Sequence, residues 1–128
     1  MSGSRKFNWT SFLSLARSLH EGSFPSVPRE ACLRTAMNRA YFAVFCPAKI
    51  YLGSRARGKD AAHERVRNLF KQSSNLDEQM IGHLLEELHI DRCRADYKGD
   101  IPDWESKVPQ NLAKAQRIVE LLGELSGV

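Results

Sequence analysis

The chain has 128 residues, 42% of them hydrophobic and 27% charged, with a formal net charge of +4. That length suits one domain able to bury a core without disulfides or metal, so a single domain over 1–128 is expected, with its core at about 8–125. Cys32, Cys46 and Cys93 are the only cysteines, and their number and spacing argue against a disulfide framework or a zinc or redox CxxC motif. No apolar run approaches the roughly 20 residues that cross a bilayer, and Met1–Lys6 has no apolar leader block. A cytoplasmic protein without membrane contact is therefore expected.

The first helix is expected from about Asn8 to Glu21, with Phe12, Leu15, Ala16 and Leu19 on one face and Gly22 as its C-cap. Ser23–Pro28 contains two prolines and reads as a loop. The second helix opens at Pro28 and Glu30, residue types that suit a first turn. Leu33, Met37, Tyr41 and Val44 form one apolar row, and Ala36, Ala40 and Ala43 a second, so this helix should be central and buried. Pro47 lacks an N–H and predicts a kink or break before Ile50-Tyr51-Leu52, with Gly53 ending the element.

Residues 53–60 read as a basic, glycine-flanked loop. A third helix is expected from about Ala61 to Lys71, with Val66, Leu69 and Phe70 apolar, and Gln72–Asn75 as a turn. The fourth helix should run from about Asp77 to Tyr97, with its stripe carried by Met80/Ile81, Leu84/Leu85, Leu88 and Cys93. A short linker containing Trp104 follows, then a fifth helix from about Pro109 to Leu125 with Leu112, Ala115, Val119 and Leu122 in phase. The expected fold class is all-α, an antiparallel four- to five-helix bundle with short connections.

Several polar residues interrupt the apolar faces. Arg34 and Arg39 lie on the central helix, where a buried guanidinium has to be paired. Arg92 and Asp96 are four apart and can face one another. Arg39, Tyr41, Asp96 and Tyr97 are thus expected to cluster between the second and fourth helices. Such a cluster is either an ion-pair network that fixes helix register or a phosphate-binding patch, since forked guanidinium donors match phosphate oxygens. Arg55, Arg57 and Lys59 form a basic loop, either simply solvated or in contact with nucleic-acid phosphates. His89/Cys93 and His83/Glu87 have metal-ligand spacing but no evident third and fourth ligands, so no metal or other cofactor is expected.

Two stretches carry a resemblance. Arg34–Phe45 reads Arg-Thr-Ala-Met-Asn-Arg-Ala-Tyr-Phe-Ala-Val-Phe, and Arg92–Tyr97 reads Arg-Cys-Arg-Ala-Asp-Tyr. In this order, with Trp9–Leu19 ahead and His63 opening the helix between, they resemble a prokaryotic branch of the HEPN family over roughly Trp9–Leu122. The resemblance implies an HEPN-like bundle, a homodimer formed through the second and fourth helices, and an RNA- or nucleotide-binding role in a prokaryotic defence or toxin–antitoxin-like system. Many HEPN proteins are metal-independent endoribonucleases in which an Arg is followed, after four to six residues, by a His near the end of the late helix. Here no His follows Arg92 or Arg94, Cys46 stands where the branch often has His, and the Arg57/His63 spacing falls elsewhere in the fold. If the chain cuts RNA, the resemblance implies that Arg92 or Arg94 stabilises the phosphorane charge while Asp96 or His63 handles protons. Arg39, Tyr41, Arg94, Tyr97, Arg55, Arg57 and Lys59 would hold the RNA or nucleotide. The alternative is a non-catalytic helical interaction module that pairs with a nucleotidyltransferase-type or antitoxin partner.

Overall fold

A computed structural model describes residues 7–56, 62–99 and 103–127. It is all-α: α1 (Ser11–Glu21), α2 (Arg29–Leu52), α3 (Ala62–Lys71), α4 (Leu76–Tyr97) and α5 (Trp104–Leu125), with a 3-10 turn at Gly53–Ala56. No strand occurs among the described residues. No described helix is long and apolar enough to cross a membrane.

Side-chain bonds fix the helix directions. Arg34, early in α2, donates to the carbonyls of Ala95 and Gly99 at the end of α4, while Tyr51, late in α2, donates to Glu78 at the start of α4. The two helices are therefore antiparallel. Arg29 pairs with Glu105, and Asn111 reaches Met37, so α5 runs alongside α2 in the same direction. Helix α1 packs on both α2 and α5, and α3 lies against α4. Lys71 at the end of α3 meets Glu86 in the first half of α4, so this pair too is antiparallel.

The central helix is α2. Leu33, Met37, Tyr41 and Val44 are buried, as are Ala36, Ala40, Ala43 and Ala48. The large row fills the core, and the alanines let the flanking helices approach closely. One cluster of buried residues unites all five helices.

Several boundaries depart from the sequence pattern. In α1, Leu13 and Ala16 face the core, and Leu15 is 44% exposed; two residues along a helix turn about 200°, so Leu13 and Leu15 cannot share a face. Helix α2 does not break at Pro47 but continues to Leu52, which is itself buried in the core. A proline deletes one backbone bond, and the buried turn beyond it offsets that loss. Gly53 then ends the helix with φ +56°, a conformation suited to glycine. Helix α5 starts five residues before Pro109, at Trp104. The Trp104 indole is buried beneath the Arg34 guanidinium, 5.2 Å from the ring centroid, and burial of so large a side chain holds a first turn ahead of the proline. Helix α4 is capped by Asn75, whose side chain accepts from the Glu78 N–H at 2.9 Å. A Cβ at Gly82 would stand 2.6 Å from the Lys71 backbone nitrogen, so glycine is what lets α3 and α4 touch.

Candidate functional site

The α3–α4 contact brings a polar cluster together over the middle of α2. His63 and Arg67 are four apart on α3, and His89, Arg92 and Cys93 share a face of α4; this i,i+3/i,i+4 spacing aligns each set along its helix. Tyr41 forms the floor, fully buried, with its hydroxyl 2.7 Å from His63 Nδ1. The His63 ring stacks on Phe45, centroids 4.0 Å apart. The His89 ring lies 5.7 Å from that of Tyr41 and 6.3 Å from that of His63, and Cys93 Sγ is 3.6 Å from His89 Nε2. The Arg92 guanidinium sits over Phe42 at 5.1 Å and over Tyr41 at 5.9 Å, within the range of cation–π attraction.

Burial and like charge set the protonation states. Burial pushes the Tyr41 phenol up to about 12, against the opposing pull of the Arg67 and Arg92 guanidiniums. Both imidazoles are held below the usual histidine value, first by burial and then by cationic neighbours: Arg92, His89, Arg67 and Lys49 around His63, Arg67 and Arg92 around His89. At pH 7 both rings are neutral.

One deep donor lacks an acceptor. Arg67, with only 8% of its surface exposed, has a buried Nη1 without a hydrogen-bond partner among the described residues, and the buried His89 Nδ1, a donor or an acceptor according to the tautomer, has none either. Asp96 Oδ2 is 2.8 Å from Arg92 Nε, so the two form an ion pair at the edge of the cluster. Glu86 is 3.8 Å from Arg67 Nε and bonds more closely to Lys71. A buried donor without an acceptor costs about 1–3 kcal/mol, more if charged. The cluster is thus suited to receive an anion.

The expected site residues divide. Arg92, His63 and Tyr41 join this cluster. Asp96 flanks it, its carboxylate held by Arg92 and by Asn38 Nδ2 at 3.1 Å. Arg39 bonds Asn38 and lies over Phe12 and Phe42, beside a groove of about 440 Å³ lined by Arg34, Asn38, Arg39 and Asp96 among others. Tyr97 is outside the cluster and 74% exposed; it follows Asp96 by one residue, and the helix turns it about 100° away. Arg94 is exposed and 3.7 Å from Asp91, and Arg55 lies near Tyr51 and Glu78, so neither reaches the histidines. Arg57 and Lys59 fall outside the described residues. Arg34 is a structural cap on the end of α4.

Sequence reasoning missed Arg67 and gave His89 only a metal-pair reading. The available signal was a second polar i,i+4 pair, His63/Arg67, on a helix adjoining the one with His89 and Arg92. Among the described residues no three His, Cys, Asp or Glu side chains are grouped to hold a metal ion. No protein-family model, curated protein or solved structure matches the chain, so the functional reading rests on these residues and on the two motifs.

Proposed function

We propose that this chain is an RNA- or nucleotide-binding protein of the HEPN type, with the ligand phosphate held by Arg67 and Arg92 beside His63, His89 and Tyr41. One observation carries the reading: two guanidiniums and two imidazoles converge with the buried Arg67 Nη1 unclaimed, and among the described residues two carboxylates, Glu86 and Asp96, flank them. Guanidinium groups bind phosphate oxygens through charge-assisted bonds, and no metal is needed for that. The motif resemblance supports the same class and a setting in prokaryotic defence or toxin–antitoxin-like systems. Binding is favoured over strand cleavage because Asp96 is committed to Arg92 and Asn38 and is no free base.

Fluorescence anisotropy with a labelled RNA oligomer tests the reading. Binding is expected to weaken as salt rises. Arg92→Gln is expected to weaken it by about tenfold or more, while Arg94→Gln, outside the cluster, leaves most of it. RNA incubated without metal is expected to stay intact. Absence of any salt-dependent binding by RNA or mononucleotide would overturn the proposal, and cleavage abolished by His63→Ala would replace binding with an endoribonuclease activity.

A further inference from the structure

The unclaimed donor does not lie on the surface: Arg67 Nη1 and the unpartnered His89 Nδ1 each expose almost nothing, and Tyr41 beneath them exposes nothing. The Phe42 and Phe45 rings pack around His63. The groups of the cluster that reach solvent in part are His63, His89, Arg92 and Cys93. A ligand that satisfies the deep Arg67 donor has to carry an oxygen atom inward past these side chains.

An internal phosphodiester is poorly shaped for this. Two of its four oxygens carry sugars, which leave in different directions, and it bears one negative charge. A phosphomonoester has a single arm, three terminal oxygens and about −1.5 to −2 charge near neutral pH. Its oxygens match the forked donors of Arg67 and Arg92 together with an imidazole N–H, and its second charge answers the excess, among the described residues, of Arg67, Arg92 and Lys49 over Glu86 and Asp96. In the tautomer with its hydrogen on Nδ1, His63 donates to the Tyr41 oxygen, and the phenol O–H is freed to donate to the ligand.

Building on the proposed RNA or nucleotide binding, we infer that the site selects a phosphomonoester, the terminal phosphate of a nucleotide or of an RNA end, over an internal phosphodiester. The test uses RNA oligomers of one sequence with either a phosphate or a hydroxyl at the 5′ end, and a second pair differing at the 3′ end. Adenosine, AMP and inorganic phosphate are titrated separately by calorimetry. A phosphate on one end is expected to tighten binding by about tenfold or more, equivalent to about 1.4 kcal/mol, and AMP is expected to bind where adenosine does not. Both preferences should vanish in Arg92→Gln and in His89→Asn, with folding checked by circular dichroism; Tyr41→Phe, which retains the core ring, should reduce them. Binding of AMP and inorganic phosphate with no RNA binding would support the inference and locate its ligand among free phosphates. Equal affinity for phosphorylated and hydroxyl ends, with RNA binding intact, would overturn the inference and leave the broader reading standing. No binding of RNA, AMP or phosphate would overturn both.

Discussion

Three rings at the centre of the molecule tie its stability to pH from both sides. His63 and His89 have lowered native values, so below about 6.5, the ordinary histidine value, the unfolded chain takes up protons first and stability falls with pH. Tyr41 has the opposite sign: the unfolded phenol loses its proton near 10, the native one near 12, so stability falls as pH rises between them. Urea midpoints are expected to form a plateau from about pH 7 to 8.5, where the unfolded Cys46 thiol, which burial pushes up in the native state, starts to ionise, and to drop on either side. Double replacement of His63 and His89 by Asn should flatten the limb between pH 5 and 7, where the lowered Glu78 and Glu86 carboxyls are still ionised. A wild-type profile flat from pH 5 to 7 would contradict the burial of these imidazoles. The Arg92–Asp96 pair was legible in the sequence because a helix brings residues four apart together. The Tyr41–His63 bond was not, because it joins two helices whose relative placement no local pattern records, and Arg67 looked like any surface cation on a polar ten-residue helix.

Glycines and prolines show how tertiary contact overrules local preference in the helices. Gly82 and Gly123 both sit inside helices, where alanine is intrinsically better by about 0.5–1 kcal/mol. Their surroundings differ: a Cβ at Gly82 meets the Lys71 backbone, and one at Gly123 meets nothing within 4 Å. Gly82→Ala is therefore expected to destabilise the protein by about 1–3 kcal/mol through overpacking, and Gly123→Ala to stabilise it by up to about 1 kcal/mol. Thermal unfolding of the two variants measures both, and an unaltered Gly82→Ala would refute the close α3–α4 approach. The same contrast explains where helix limits could be read. Asn75 and Gly53 mark their boundaries by local chemistry. Pro47 and Pro109 mislead, because the lost backbone bond is outweighed by buried side chains, Leu52 and Trp104, that a local rule does not weigh.

The helical class and the centrality of α2 were plain in the sequence, since a helix apolar on most of its circumference has to be surrounded. Which surface the finished bundle leaves open was not. Helix α4 turns Leu76, Met80, His83, Glu87, Ile90, Arg94 and Tyr97 to solvent at the alternating spacings of a coiled-coil seam. An antiparallel copy of α4 can set Met80 against Ile90 and His83 against Glu87, joining apolar to apolar and base to acid. The expected outcome of sedimentation at micromolar concentration is a dimer, split to monomers by Met80→Glu with Ile90→Glu. A monomeric wild type would refute it. Of the two helices that the HEPN resemblance assigns to dimerisation, α2 is largely covered by its neighbours, and α4 offers the free face.

The parallel pairing of α2 with α5 also has a consequence during synthesis. Met37 finds its partner in Asn111, 74 residues later. Helix α2 is made before α5, and the face that carries Met37 waits until α5 is translated. Through that interval the nascent chain offers an apolar surface to chaperones, and any pause before Trp104 lengthens the offer.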